Sequence, residues 1–323
     1  MQRVIFVPQY PTKMRYQEWW LTEFTKEFHQ AGFDIHILGG KILNNMQKKR
    51  GTSSMFSPIN TAIEFECAQI QEYMELELKD DDILFLADLS FPGFFSNVFV
   101  HKHPKRMFAY CHATSINYKD YFAPVWQYKY PIEKAHAEMF DAVFIGSDYH
   151  DLKLNWENTI VTRLPYPPLK TFKEEKEFAV VSASRVNPQK VDFKLEERVA
   201  ERLSMPILRQ VHDNWEDYYK FLSKSKVLLI TSFEDTFGYQ IVDAVINNCI
   251  PLAPMRCAYP EILPREYELM RKLDYLINSD HGVPYLWDEP YEVEVPELLC
   301  HKEMENFYSN IIQVMKGEPD YPF

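Results

Sequence analysis

The chain has 323 residues, 46% of them apolar and 25% charged, a balance that excludes a disordered or collagen-like protein and allows one or two sizeable cores. A net charge of −12 argues against a protein that coats nucleic acid uniformly. Five cysteines, an odd number with no C-x-x-C spacing, argue against a disulfide framework or a zinc ribbon, and the nine glycines form neither G-x-G-x-x-G nor a Walker loop.

Taken in chain order, the first half alternates strand and helix. Residues 4–7 form a short buried-strand run. Tyr16, Trp19, Trp20, Phe24 and Phe28 then recur at three- and four-residue spacing, which predicts an amphipathic helix stopped at Gly32. Residues 35–38 read as a second strand, residues 68–78 as a helix and residues 83–87 as a third strand. Asp80-Asp81-Asp82 comes before that strand, at the opposite end of the sheet from a carboxyl-end site, and predicts a solvated turn instead of a metal site. Strands at 107–111 and 142–146 flank a helix near 131–140. Strands separated by helices imply a parallel sheet covered on both faces.

Leu164-Pro165-Tyr166-Pro167-Pro168 is a stiff linker and marks a domain boundary, giving domains at 1–167 and 168–323. The second half then repeats the alternation. It has strands at 178–183, 206–211, 227–232 and 250–253, and helices carrying Val191, Leu195, Val199 and Leu203, then residues 215–222, then Ile241 with Val245. A last helix is predicted at 303–315. Two doubly wound domains facing a central cleft would bind ligands at the carboxyl ends of their strands. No apolar run reaches the ~18–20 residues of a membrane span, and the N-terminus enters a strand without a signal-peptide layout, so a cytoplasmic protein is expected.

The most informative stretch is residues 232–244, Ser-Phe-Glu-Asp-Thr-Phe-Gly-Tyr-Gln-Ile-Val-Asp-Ala. A strand ends at Ser232 and a helix begins near Gly238. The positive end of that helix suits phosphate, and Gly238 permits close approach of a ligand to backbone. Asp235 and Asp243 are carboxylates that can accept hydrogen bonds from sugar hydroxyls, or alternatively a helix cap and a solvated helix residue. Ser184-Arg185 follows another strand, with Lys190 five residues on.

These residues resemble the donor-binding motif of the retaining GT-B glycosyltransferases, in which Ser, an acid, Phe-Gly and a second acid eight positions after the first are followed by Ala. Here those positions hold Ser232, Asp235, Phe237-Gly238, Asp243 and Ala244, with both acids aspartate where the family usually has glutamate. Glu234 is a rival for the first acidic role. The resemblance implies a GT-B fold, with an acceptor-side domain first, a nucleotide-sugar domain second and a final helix crossing back. It implies Arg185, Lys190 and the Gly238–Tyr239 backbone on the donor pyrophosphate, Ser184 beside them, Asp243 on the ribose, and Asp235 and His112 on the transferred sugar. It also implies retention of configuration, no required cofactor or metal, and a UDP- or GDP-sugar as donor.

The acceptor is left open. A glycan or lipid-linked sugar is the expected acceptor. A hydroxymethylated DNA base is the alternative, motivated by two basic clusters, Lys48-Lys49-Arg50 and Lys102 with Lys105-Arg106, which are otherwise solvated loops. A catalytically silent binding or scaffold protein is the third reading. Oligomeric state is not specified.

Overall fold

The computed structural model describes residues 1–12, 14–40, 59–183, 190–204, 206–278 and 294–317. Its contacts divide the chain into two compact units. The first comprises Met1–Gly146, Asp151–Pro167 and the segment from Glu303 on; the second comprises Ser147–His150 and Pro168–Lys302.

The first unit is built on a six-stranded parallel sheet in the order β2-β1-β3-β4-β5-β6. The strands are β1 (Arg3–Val7), β2 (Asp34–Ile37), β3 (Ile83–Leu86), β4 (Arg106–Cys111), β5 (Ala142–Ile145) and β6 (Thr159–Val161). β3 and β5 are buried at every position, as central strands covered on both faces must be. Helix α1 (Gln17–Gln30) buries Trp19, Trp20, Phe24 and Phe28, the stripe set by its three- and four-residue spacing. Phe24 meets Phe6 of β1 at 5.7 Å and Phe85 of β3 at 5.0 Å between ring centroids. The last helix of this unit, Phe307–Lys316, sets Phe307 against Trp20 and Phe24 at 5.7 and 5.8 Å.

The second unit has a four-stranded parallel sheet in the order β10-β9-β7-β8. Its strands are β7 (Phe178–Ser182), β8 (Leu208–Arg209), β9 (Ser225–Leu229) and β10 (Ile250–Leu252). The helices that bear on function here are 215–223 and 239–246, which read Trp215–Ser223 and Tyr239–Ile246. Both sheets are the expected parallel, helix-covered kind.

Several expectations are corrected. The helix expected at 68–78 runs Ile59–Glu75, and the last expected helix is two, His301–Glu305 and Phe307–Lys316. The three-residue strand β6 and the helix Glu268–Asn278 were not foreseen. Asp82 is not solvated. It is buried, and Arg3 holds it through Nη2 at 2.5 Å and Nε at 2.9 Å, while the Lys79 N–H donates to it at 2.7 Å. Burial works against its charge, but the Arg3 hydrogen bonds and that N–H overcome it and hold the carboxyl below its ordinary range.

Two residues of the second basic cluster, Lys102 and Arg106, are also taken up by the fold, whereas Lys105 stays exposed beside Asp80. The Lys102 ammonium donates to the carbonyls of Tyr73, Met74 and Leu76, at the end of the helix Ile59–Glu75, where a cation complements unpaired carbonyls. Arg106 donates to the Met315 carbonyl at the end of the last helix. Arg106 opens β4, so the cluster lies at the amino ends of the strands, away from the end where such sheets bind ligands. Lys48-Lys49-Arg50 lies outside the described residues.

Gly39, just past β2, has φ +80°, and a Cβ there would stand 2.8 Å from the Phe65 ring and 2.9 Å from the Gln69 side chain. Gln69 in turn ties the Pro8 and Leu38 carbonyls together at 2.8 and 3.2 Å. Gly39→Ala is therefore expected to cost about 2 kcal/mol, from left-handed backbone strain and overpacking together. Urea unfolding would show this as a lowered midpoint at unchanged slope.

Candidate functional site

In the second unit the chain leaves β9 and reaches the helix Tyr239–Ile246 through residues 230–238. A separate segment runs antiparallel beside this loop. Val191 bridges Ser232, the Phe233 N–H donates to the Lys190 carbonyl at 3.0 Å, and the Asp192 N–H donates to the Thr231 carbonyl at 2.9 Å. This pairing carries Lys190 to the loop although the two are some forty residues apart in sequence. Asp192 then caps the next helix, Phe193–Leu203, by accepting the Leu195 N–H at 3.1 Å.

Asp235 forms the turn before the helix. Its Oδ1 accepts the Phe237 N–H at 3.1 Å, and the Gly238 N–H also points to the carboxyl. Burial raises its pKa, against those two N–H groups and the nearby charge of Lys190. Gly238 is the N-cap residue, with φ +101° and ψ +46°. A Cβ there would meet the Tyr259 ring at 3.0 and 3.1 Å and Ile262 at 3.2 Å, so glycine is required twice, by conformation and by space. The Phe237 ring is buried and lies edge-on to Tyr239 at 5.5 Å.

The other predicted residues are placed differently. Asp243 is buried, and each of its oxygens accepts a tyrosine hydroxyl, Tyr219 at 2.7 Å and Tyr218 at 3.2 Å. Burial pushes its carboxyl up to about 7 in spite of those hydrogen bonds. It fastens the helix Tyr239–Ile246 to the helix Trp215–Ser223. Glu234 shares a side-chain hydrogen bond with the Tyr149 hydroxyl, whose pKa is raised first by burial and then by Glu234. Asp235 is bonded to the backbone at the helix entrance. Ser184 and Arg185 lie outside the described residues.

One cation at this loop was not singled out from the sequence. The Arg256 Nη2 donates to the Ser232 carbonyl at 2.8 Å and its guanidinium lies over the Phe233 ring at 5.8 Å. Its Nε is buried with no partner among the described residues. The available signal was position, because Arg256 follows β10 at the carboxyl end of the sheet. Ser147 also reaches this loop, donating through Oγ to the Thr236 carbonyl at 2.5 Å.

In the first unit His112 follows β4 directly. Its ring stacks on Tyr16 at 4.0 Å and lies 4.6 Å from both Trp20 and Tyr110. Its backbone N–H, not its ring, donates to Asp88, which follows β3 and also accepts from the Ser90 N–H at 3.2 Å and from the Gln9 amide. Burial drives the Asp88 carboxyl well above its ordinary range. Glu66 accepts the backbone N–H groups of Gly93, Phe94 and Phe95 at 3.0, 2.5 and 3.0 Å, and burial brings it to about 7. Both acids line one small pocket, together with Gln9, Tyr10, Gln17 and Phe91. Among the described residues no group of three or more His, Cys, Asp or Glu is placed to hold a metal ion, and no helix is long and apolar enough to cross a membrane.

No family model matches the chain. A tRNA-queuosine alpha-mannosyltransferase of Drosophila melanogaster is 31% identical over 70 residues, which are 22% of this chain and 19% of that protein. The match thus spans about a fifth of the length of this curated relative. Among solved structures, sucrose-phosphate synthase from Thermosynechococcus elongatus superposes with a TM-score of 0.57 at 11% identity over 98% of both chains. The lipopolysaccharide outer core galactosyltransferase WaaB gives 0.55 at 11%, over 96% of this chain and 99% of that one. Anabaena HepE in complex with UDP-glucose gives 0.53 at 11%, over 98% and 95%.

Asp243 and Glu66, both raised to about 7, keep protons in the folded state that the unfolded chain releases near its ordinary carboxyl value. Each therefore makes stability fall as pH rises from about 4 to about 7. Asp243→Asn removes one of the two contributions. Urea titrations across that range are expected to show a shallower fall for the variant than for the wild type, and parallel profiles would remove Asp243 as a source.

Proposed function

From the premise that the chain has the GT-B fold, we propose that it transfers a sugar from a nucleotide diphosphate sugar to an acceptor hydroxyl. The observation that carries this reading is the loop at residues 230–238, which gathers Lys190, Arg256, Asp235 and a glycine-started helix at one end of the second sheet. As the glycosidic bond breaks, the leaving diphosphate gains negative charge, and cations and a helix start fixed beside it lower the barrier. Arg185, Lys190 and the Gly238–Tyr239 backbone are assigned to the diphosphate, with Ser184 adjoining. Arg256 is added to that set. Its planar fork has donors to spare after the one bond to Ser232.

Asp235 is assigned to the hydroxyls of the transferred sugar, and His112 is the first unit's candidate for the same sugar. Asp243, expected on the ribose, is assigned instead to holding two helices together, because both of its oxygens already accept tyrosine hydroxyls. The transfer is read as retaining, with the leaving phosphate helping to take the acceptor proton, and no separate general base is named. The donor reading favours a UDP-sugar, in keeping with the UDP-glucose held by HepE, and a GDP-sugar is the second choice.

A glycan or lipid-linked sugar is the favoured acceptor, in line with the lipopolysaccharide galactosyltransferase among the fold relatives. The tRNA-modifying mannosyltransferase favours a second reading, an acceptor carried on nucleic acid. Against it, Lys102 and Arg106 spend their charges on helix-end carbonyls.

Calorimetric titration of UDP, GDP, ADP and their sugar conjugates tests the donor assignment. One nucleotide sugar is expected to bind, and Arg185→Ala, Lys190→Ala and Arg256→Ala are each expected to weaken it by about tenfold or more, the loss of one charge-assisted hydrogen bond. Binding of none of them sinks the assignment. Nucleotide binding without turnover on any acceptor would make the chain a silent scaffold.

A further inference from the structure

We infer that Glu196 is a positioning residue for the second unit's cation loop. It is not one of the groups assigned to the diphosphate; it fixes the strand ends and the helix from which those groups are held. The inference rests on the glycosyltransferase reading, which supplies the anion, and deepens it.

Glu196 lies one turn into the helix Phe193–Leu203, whose buried residues include Leu195 and Val199. An apolar stripe has no need of an acid, and burying one is costly unless donors replace its water. Glu196 is 8% exposed, and side-chain donors take the place of water. The hydroxyls of Ser182 and Thr231 donate to its Oε1 at 3.1 and 2.9 Å, and the Arg209 Nη2 donates to its Oε2. Both hydroxyl-bearing residues are fully buried. The Arg209 guanidinium also lies over the ring of Phe193, on the same helix, at 4.9 Å.

The origin of these donors gives the carboxylate its meaning. Ser182 ends β7, Arg209 ends β8, and Thr231 stands two residues past the end of β9. These strands are neighbours in the sheet, so one carboxylate gathers them at the level where each becomes a loop. The segments it ties lead to the groups assigned to the anion. Ser184 and Arg185 follow Ser182 by two and three residues. Ser232, whose carbonyl holds Arg256, follows Thr231 directly. Lys190 precedes the helix of Glu196 by three residues, and its carbonyl accepts the Phe233 N–H. An apolar side chain at position 196 would fill the same space but offer Ser182, Thr231 and Arg209 nothing to bond, leaving two buried hydroxyls and a cation to turn elsewhere. A shift of about 1 Å in what carries a binding group is enough to misplace it.

Hydrogen exchange on the full chain tests the placement, and calorimetry with UDP and GDP tests its consequence. The amides to follow are those of Asp192 and Phe233, which tie the Lys190 segment to the loop. Glu196→Leu removes the acceptor and keeps the bulk. It is expected to speed exchange at both amides by about tenfold or more, with the amides inside the helix Trp215–Ser223 unmoved. It is also expected to weaken nucleotide diphosphate binding by about tenfold or more. Glu196→Gln, whose amide can serve the same partners, is expected to stay within about threefold of the wild type in both readouts. Thr231→Val removes only the bond to the loop and is expected to give the Glu196→Leu pattern at reduced size. It decides the matter should melting curves show that Glu196→Leu does not fold. Unchanged exchange at Asp192 and Phe233 in the folded variants, exchange that rises equally throughout the unit, or nucleotide binding as tight in Glu196→Leu as in the wild type overturns the inference. If the wild type binds neither nucleotide, the donor reading fails by itself, and the exchange pattern alone upholds or overturns Glu196 as the residue that places the loop.

Discussion

The second unit is organised around one backbone conformation, that of Gly238. At φ +101° the chain turns from loop to helix in a region closed to side-chain-bearing residues, and the Tyr259 ring fills the space a Cβ would need. The features around it follow from that turn. Asp235 can bond the Phe237 and Gly238 N–H groups only because the chain curls back on itself there. The stretch before the turn stays extended enough to pair with residues 190–192, which brings in Lys190. Its carbonyl at Ser232 anchors Arg256. A sequence that lost this glycine would lose the placement of two cations and a carboxyl together.

The first unit uses buried carboxyls as fasteners. Asp88 accepts from Gln9, Ser90 and His112, which follow β1, β3 and β4 in turn. Glu133 accepts from the Ser115 hydroxyl at 2.6 Å and from Ser90 at 3.1 Å. Glu66 gathers three consecutive N–H groups at residues 93–95. Burying an acid is costly unless hydrogen bonds replace its water, and here backbone N–H groups, serine hydroxyls and the Gln9 amide replace it. The result is a set of loops at one end of the sheet held by a few polar atoms, with the hydrophobic layers beneath free to be plain close packing. The raised carboxyl values of Asp88 and Glu66 are the electrostatic trace of that arrangement.

Much of this was legible in the sequence, and what was not has physical causes. Central strands such as β3 show as unbroken apolar runs because both of their faces are covered. The stripe of Trp19, Trp20, Phe24 and Phe28 shows because a helix repeats. The loop at 232–238 shows because an aspartate and a glycine just before an apolar helical stripe are turn and cap chemistry. Strand β6 was missed because three half-buried residues carry no period. The tyrosine partners of Asp243 were not legible because Tyr218 and Tyr219 stand on a different helix, where aromatic residues read as ordinary core. Lys102 and Arg106 looked like a patch because the carbonyls that use them belong to helix ends 26 and 209 residues away. Local pattern reports period and turn chemistry; it does not report which distant backbone group a long cation will cap.

The distribution of charge gives the cations at the second unit's loop more meaning than their number suggests. From Thr171 to the end of the chain, acids outnumber bases by 27 to 17. A diphosphate approaching such a surface is repelled on average, but that repulsion decays over the ~8 Å screening length of physiological salt. Contact with Lys190 and Arg256 does not decay in that way, because a bound anion lies well inside the screening length and the Arg256 guanidinium is already half withdrawn from water against Phe233. An acidic exterior with two cations brought to one loop therefore favours ligands that bring their negative charge to a single point, as a diphosphate does. It selects against those that spread charge along a chain, as a nucleic acid does. The same reasoning applies to the first unit's pocket, whose described lining offers a phosphate no cation at all.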